Sequence, residues 1–147
     1  MAYKFEKLEV WQKALDYADL VYEIAGELPS HEQYGLRSQI TRAANSIALN
    51  IAEGSTSQSD DEQSRFLGMA IRSLTETVAC FHLIERRGYF DDPEPLREAY
   101  RFSEPLFRPT PSVPLIAEKH RRRRKGRTTT IRREPRRSLL KIMTRST

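Results

Sequence analysis

"YGLRSQITRAANSIALNIAEGS", residues 34–55, carries an apolar stripe with the period of an α-helix. With Ile40 set at zero and about 100° per residue, the apolar side chains cluster on one side of the predicted helix. This inward set is Leu36, Ile40, Ala43, Ala44, Ile47 and Ile51. The spacing predicts a helix from about Tyr34 to Glu53, with Gly54 as a left-handed C-cap.

A second, polar stripe runs along the same helix, on the side away from the predicted core. Asn50 is a poor helix former, and Glu53 lies beside the negative end of the helix dipole, so helix stability alone does not explain this stripe. Leu49 falls among these residues, where a single bundle would leave it in water. The stripe is either a solvated face or a subunit interface. The candidate interface residues are Arg42, Ser46, Leu49, Asn50 and Glu53.

The preceding segment predicts another amphipathic helix, from Leu8 to Leu28, ended by Pro29 and Ser30. Its predicted inward residues are Leu8, Trp11, Ala14, Leu15, Ala18, Val21, Tyr22, Ala25 and Leu28. After the quoted stretch, Ser59 and Glu62 form a capping-box pattern that opens a third helix of about 28 residues. Its predicted inward residues are Phe66, Ala70, Leu74, Val78, Phe81 and Ile84, and it stops at Gly88.

A fourth helix is predicted to begin at Asp92 and Pro93 and to last only about eleven or twelve residues. Its inward residues are Leu96, Ala99, Tyr100 and Ser103. Four prolines, at positions 105, 109, 111 and 114, prevent its continuation. Short connections and scarce strand signals predict an all-α fold, an up-down antiparallel four-helix bundle with a truncated fourth helix. We expect the bundle over residues 1–107 and a disordered, Pro/Arg-rich tail over 108–147.

Charge divides the chain at the same place. Residues 1–104 hold 11 basic and 18 acidic side chains, whereas residues 105–147 hold 14 basic and 2 acidic ones. The tail therefore predicts salt-sensitive contact with RNA or DNA, although no aromatic residue after Phe107 offers a stacking platform for bases. A solvated tail without a partner is an equal alternative. The candidate nucleic-acid contacts are Arg121, Arg122, Arg123, Arg124, Lys125 and Arg127.

Enzymatic motifs are missing from the sequence. It has no Gly-rich phosphate loop, no Gly-x-Ser-x-Gly and no Cys-x-x-Cys, so we expect no catalytic residue and no cofactor. His82 and Glu85 are spaced to share a metal, but the paired Glu-x-x-His motifs of a bundle metal site are missing. We therefore expect no metal site, a half-exposed His82, and a packing role for the lone Cys80.

The N-terminus has no apolar signal region, and no stretch approaches the eighteen or so apolar residues of a membrane span. We expect a cytoplasmic protein without a membrane partner.

Four segments, at residues 7–15, 34–55, 65–76 and 86–90, resemble successive motifs of one family: "KLEVWQKAL", "YGLRSQITRAANSIALNIAEGS", "RFLGMAIRSLTE" and "RRGYF". The family is that of the four-helix-bundle proteins encoded in intervening sequences of bacterial 23S rRNA genes. The resemblance covers about residues 4–104 and implies an up-down bundle that assembles as a homopentamer. A related group serves as the accessory factor of diversity-generating retroelements, where a basic pentameric barrel contacts reverse transcriptase and RNA.

Two features depart from that family. Thr56 to Asp61 include acidic residues where the family often has basic ones, and the fourth helix stops several turns early. We expect a non-enzymatic oligomerisation module, a homo-oligomer that is RNA-associated or an adaptor for a protein partner. The alternatives are a purely structural protein scaffold and a degenerate or frameshifted member without retained function. Reading the other two DNA frames after codon 104 tests the frameshift, since a helix-four-like peptide should appear in one of them.

Overall fold

The structure, a computed structural model, describes residues 3–107. It contains α1 (Glu9–Gly26), α2 (Leu36–Ser55), α3 (Asp60–Arg87) and α4 (Glu94–Ser103), and residues 3–107 include no strand. Short 3-10 turns occur at Lys4–Lys7, Ser30–Glu32 and Glu104–Phe107. Helix α2 packs against α1 and α3, and α4 packs against the same two helices. The predicted all-α four-helix fold is confirmed, whereas the prediction of disorder for 108–147 concerns residues outside those described.

The core differs from the sequence prediction on α1. Tyr17, which the predicted stripe omitted, is completely buried, and its hydroxyl lies 2.7 Å from Thr77 Oγ1. By contrast, Tyr22 is 48 % exposed, and Trp11 and Leu15 are only half-buried. The prediction of Tyr22 as an inward residue was wrong because α1 has two neighbours, and the position of α4 rotates the buried arc toward Tyr17. The inward residues of α2 were predicted correctly, and all six are buried.

The end of α1 also differs from its prediction. The helix ends at Gly26 rather than at Leu28. One Nη atom of Arg37, in the first turn of α2, donates to the carbonyl of Leu28 and lies 3.4 Å from that of Gly26. The Gly26 carbonyl, which the helix end leaves without an intrahelical partner, and the carbonyl of Leu28 in the following turn therefore both lie beside a side chain of the next helix.

Gly54 is not the C-cap that the sequence predicted. It lies inside α2, and Gly88 is the only glycine in residues 3–107 with a positive φ. A Cβ atom built at Gly54 would lie 3.0 Å from Cβ of Phe66 in α3. The glycine therefore permits the close approach of α2 and α3, while the helix ends one residue later at Ser55.

The predicted boundaries of α3 are confirmed. Ser59 Oγ accepts from the Glu62 N–H at 3.2 Å, and Glu62 Oε2 accepts from the N–H of Gln58 at 3.2 Å. The helix is 28 residues long and ends before Gly88, whose φ is 68°. Local capping chemistry thus determines both ends of the longest helix.

Helix α4 is short, as predicted, and leaves part of the bundle open. It begins at Glu94, one residue later than expected, and Asp92 Oδ1 accepts from the Glu94 N–H at 2.9 Å. Tyr100, predicted to face inward, is 42 % exposed because α4 ends after ten residues and covers little of its neighbours. One apolar face of α3, which includes Leu74 and Val78 that were predicted to face fully inward, is only half-buried or exposed within residues 3–107. Its residues, at helical spacing, are Leu67, Ile71, Leu74 and Val78.

Among residues 3–107, α3 is the one helix whose length and composition would allow it to cross a membrane. Only 28 % of its most apolar window is buried within the chain. Core helices of soluble proteins pass the same test, and Arg72 and Glu76 lie near the middle of α3. Much of the most apolar part of α3 is therefore left uncovered by residues 3–107.

Candidate functional site

The polar stripe, which we define as Arg42, Ser46, Leu49, Asn50 and Glu53, lies on the outer side of α2. Arg42 and Glu53 are exposed, Ser46 and Asn50 are half-buried, and Leu49 is 60 % exposed. The stripe is therefore on the surface, where the helical angles place it. Its role as an interface stays a prediction.

Within one chain, the polar character of the stripe is partly satisfied. The side-chain amide of Asn50 donates to the carbonyl of Ser46 at 2.7 Å, one turn earlier in the same helix. This bond offsets the poor helix propensity of asparagine, because the amide no longer competes for backbone groups elsewhere. Leu49 has no such compensation, since an exposed apolar side chain gains stability only when another surface covers it.

Other exposed apolar side chains lie near the same end of the bundle. The close approach of Gly54 to Phe66 places the end of α2 beside the beginning of α3. Leu49 lies five residues before Gly54, and Met69, which is 39 % exposed, lies three residues after Phe66. Leu49 on α2 and Met69 on α3 are therefore two exposed apolar side chains of the bundle.

A buried carboxylate, Glu32, joins three parts of the bundle and was missed by the sequence analysis. Glu32 is 7 % exposed, and its Oε2 accepts from the N–H of Leu36 at 2.9 Å, the first residue of α2. Its Oε1 accepts from Arg87 at 2.6 Å and from the hydroxyl of Tyr89 at 2.7 Å. The carboxylate therefore connects the α1–α2 turn with the end of α3 and the residues that follow it.

Two neighbours show how closely this cluster is fitted. A Cβ atom at Gly35 would clash with Glu32 Oε2, so a larger residue there would displace the carboxylate from its present position. His31 Nε2 lies 3.2 Å from the Tyr89 hydroxyl. Because that hydroxyl donates its one proton to Glu32, the His31 nitrogen is the donor to Tyr89. The sequence did contain a signal for this cluster, because the acidic Glu32 lies four positions before the first residue of α2 and Gly35 directly precedes that residue. The geometry of the cluster, in which each polar group is paired with another part of the fold, is that of a structural clamp.

We expect Glu32→Gln to destabilise the protein most at neutral pH. Hydrogen bonds from the Leu36 backbone and from Tyr89, with the charge of Arg87, hold the pKa of Glu32 below its ordinary value of 4.5. A lowered pKa stabilises the fold above the pKa of the unfolded chain, and this contribution is lost as the pH falls through the folded pKa. Urea unfolding between pH 3 and pH 7 should therefore show a deficit in the variant that shrinks as acid is added.

Glu27→Gln is the matched control, since Glu27 is an exposed carboxylate near the same turn. We expect its unfolding midpoint to remain close to that of the wild type across this range. Equal deficits for the two variants would contradict the role given to the Glu32 cluster.

Cys80 and His82, two side chains that could carry thiol or metal chemistry, both pack against other parts of the fold. Cys80 is 2 % exposed, and its burial raises the pKa of the thiol, which fits the predicted packing role. His82 is exposed rather than half-exposed and meets Tyr100 edge-to-face, with ring centroids 6.0 Å apart. In residues 3–107 no three His, Cys, Asp or Glu side chains are grouped to hold a metal ion, so the pair of His82 and Glu85 has no third ligand there.

The predicted nucleic-acid contacts, Arg121 to Arg124 with Lys125 and Arg127, lie outside the described residues. The chain matches the family model described as 23S rRNA-intervening sequence protein over residues 6–100. The match spans α1, α2, α3 and the first part of α4. It confirms the resemblance carried by the four motifs. No curated protein matches the chain.

Proposed function

The chain belongs to the 23S rRNA-intervening sequence protein family, and from that premise we propose that it is a non-enzymatic oligomerisation module that associates with RNA. The observation that carries the assembly part is Leu49, 60 % exposed within the polar stripe. The proposal places the protein in the cytoplasm, with copies of itself and RNA as partners and without a membrane partner. The family resemblance implies five copies.

Exposed apolar side chains on α3, as well as Leu49 on α2, support assembly. Met69 and Leu83, which lie on one side of α3, are 39 % and 44 % exposed, and Ile71, which lies on the other side with Leu74 and Val78, is 47 % exposed. Covering apolar surface contributes about 25 cal/mol per Å², and scattered polar groups around it provide register. A second copy of the chain is the partner that these side chains fit, because every copy exposes the same residues.

Thiol accessibility tests whether Leu49 is covered in the native protein. We expect Leu49→Cys to react with a maleimide at least about tenfold more slowly than Tyr34→Cys, because assembly would shield position 49. Tyr34 is 91 % exposed, which makes it the reference for an open site. Cys80 is 2 % exposed, so the wild-type chain measures the background. Equal labelling rates at positions 34 and 49 would mean that this face is free, and the assembly proposal would fail.

Association with RNA is supported by the distribution of charge. The acidic excess of residues 1–104 repels polyanions, whereas residues 105–147 carry 14 basic and 2 acidic side chains. Neutralising phosphates releases condensed counterions, so a basic segment gives affinity that falls steeply with salt. The attraction to RNA is therefore assigned to the tail, with Arg121 to Arg124, Lys125 and Arg127 as its densest cluster.

Changing those six residues to glutamine in the full chain should weaken binding to single-stranded RNA by about tenfold or more at low salt. The slope of log affinity against log salt should also become shallower, since each lost phosphate contact removes about 0.7 from a single-strand slope. Fluorescence anisotropy between 50 and 300 mM salt measures both quantities.

A second variant with the same charge change separates position from net charge. It carries glutamine at Arg132, Arg133, Arg136, Arg137, Lys141 and Arg145. We expect a smaller loss from this variant, and equal losses would show that residues 121–127 are not a distinct contact. Absence of wild-type binding near physiological salt, about 0.15 M, would favour the protein-scaffold alternative.

A further inference from the structure

A cleft of about 340 Å³ lies between α3 and α4. Its floor is apolar, made by Phe81 and Leu96, which are 3 % and 4 % exposed. His82 and Tyr100 form an aromatic wall, with their rings edge-to-face at 6.0 Å. Tyr100 is 42 % exposed, so its ring is available to a flat group entering from solvent.

Charged side chains surround the aromatic wall. Arg97, Arg101 and Glu85 contribute two positive charges and one negative charge to the lining. Arg101 is engaged by Glu94, with Nη2 and Oε1 2.5 Å apart. Arg97 forms no ion pair with any residue in 3–107, so its guanidinium is the cation that remains for a ligand.

We propose that this cleft binds one nucleotide. The base stacks on Tyr100 above the apolar floor, and Arg97 binds the phosphate. Glu85 accepts a hydrogen bond from an N–H group on the edge of the base. Proteins commonly recognise unpaired nucleotides in this way. The base stacks on an aromatic side chain, a cation binds the phosphate, and an acceptor binds the edge of the base.

Size and charge restrict the ligand further. Small-molecule sites have about 300–1,000 Å³, so a cleft near the lower limit holds one nucleotide and not two. Glu94 and Glu98 lie on the same helix and act on Arg101. Their negative charge disfavours a triphosphate, so the cleft selects a monophosphate or one phosphodiester-linked nucleotide of single-stranded RNA.

The residues that line this cleft belong neither to the polar stripe nor to residues 108–147, so nucleotide binding can fail while assembly and tail binding both hold. Guanine is the most informative base for a test, because it presents two adjacent N–H donors to a carboxylate acceptor. The probes are guanosine 5′-monophosphate, guanosine, inorganic phosphate, guanosine triphosphate and a six-nucleotide single-stranded RNA containing guanine.

Isothermal titration calorimetry of the full chain should show one monophosphate bound per chain. We expect Tyr100→Leu to weaken this binding by about tenfold or more because it removes the stacking surface, and Arg97→Gln to weaken it by about tenfold because it removes the charge-assisted contact with the phosphate. Arg86→Gln is the matched control, an exposed arginine of α3 outside the cleft lining, and it should bind like the wild type. Guanosine, phosphate and the triphosphate should bind at least tenfold more weakly than the monophosphate.

The RNA arm distinguishes the two sources of the nucleotide. If the binding of the hexanucleotide requires Tyr100 and Arg97 while the monophosphate does not bind, the ligand is RNA. If the monophosphate binds and requires these residues while the hexanucleotide does not, the ligand is a free nucleotide. Circular dichroism of each variant verifies that it is folded. If neither probe distinguishes Tyr100→Leu from Arg86→Gln, the cleft is not a nucleotide site.

Discussion

Replacing Tyr17 with alanine lowers the free energy of unfolding by about 3–5 kcal/mol, the range for removing a large aromatic side chain from a core. Tyr17 is completely buried and stacks on Phe102 of α4, with ring centroids 6.1 Å apart and an interplanar angle of 19°. Its hydroxyl lies 2.7 Å from Thr77 in α3. One side chain of α1 therefore joins α3 and α4, and its loss removes a large part of the stability margin of a small domain. Urea unfolding at a fixed protein concentration measures the change.

Two further tyrosine variants separate burial from hydrogen bonding. Tyr17→Phe should cost only about 0.5–1.5 kcal/mol, because the Thr77 hydroxyl still donates to the Leu74 carbonyl at 2.7 Å. Tyr22→Ala is the control for an aromatic residue on the same helix that is 48 % exposed, and its cost should be well below that of Tyr17→Ala. Equal costs at positions 17 and 22 would contradict the arrangement of the core.

Alkaline pH provides a second measurement on Tyr17. Burial raises the pKa of its hydroxyl to about 12 from an ordinary value of 10.0. A raised pKa means that the fold keeps its full stability below the pKa of the unfolded chain and loses it as the pH rises through the folded pKa. Over this window the loss reaches about 3 kcal/mol. The loss of stability between pH 10 and pH 12 should be smaller for Tyr17→Phe, and an unchanged pH dependence would contradict the burial of the hydroxyl.

Leu49→Asp should dissociate the assembly into single chains. Leu49 is 60 % exposed in one chain, so an aspartate there costs the isolated bundle little. In an interface the same aspartate would lose its hydration without a compensating partner, at a cost of several kcal/mol for each copy. Light scattering should therefore give a mass near 17.1 kDa for the variant, with helical content unchanged.

Two substitutions control for charge and for packing. Tyr34→Asp places the same charge at a residue that is 91 % exposed outside α2, and its mass should equal that of the wild type. Leu49→Met keeps an apolar side chain of similar volume and should also preserve assembly. Retention of the full mass by Leu49→Asp would remove the polar stripe from the interface.

Local chemistry made the ends of α3 predictable. The Ser59 cap and Gly88 act through residues within one turn, and the structure has the helix between them. Gly54 shows the limit of the same logic. Glycine is needed at position 54 because Phe66 of α3 lies so close, and not because the backbone there is left-handed. The sequence alone could not distinguish these two reasons, since the first depends on where α3 packs.

The core of α1 could be predicted only in part, because burial there depends on two neighbouring helices. Periodicity identified an amphipathic helix, but its buried centre falls on Tyr17 and leaves Tyr22 exposed. The same dependence on partners hid the Glu32 cluster, whose contacts, Arg87 and Tyr89, lie 55 and 57 residues away in the sequence. The aromatic wall of His82 and Tyr100 was missed for a related reason, since Tyr100 was assigned to the core.

The polar stripe was predictable as a surface because helical angles alone determine which side chains point away from the core. Its role as an interface was not predictable in the same way, since within residues 3–107 Leu49 is simply 60 % exposed. Whether Leu49 is covered depends on contact with a second molecule, which the periodicity of one helix does not specify.

The molar mass of the full-length wild-type chain, measured by multi-angle light scattering at micromolar concentration and about 0.15 M salt, tests the assembly proposal most directly. We predict a stable multiple of the 17.1 kDa chain, with five copies implied by the family resemblance. A mass of one chain across the whole concentration range would contradict it.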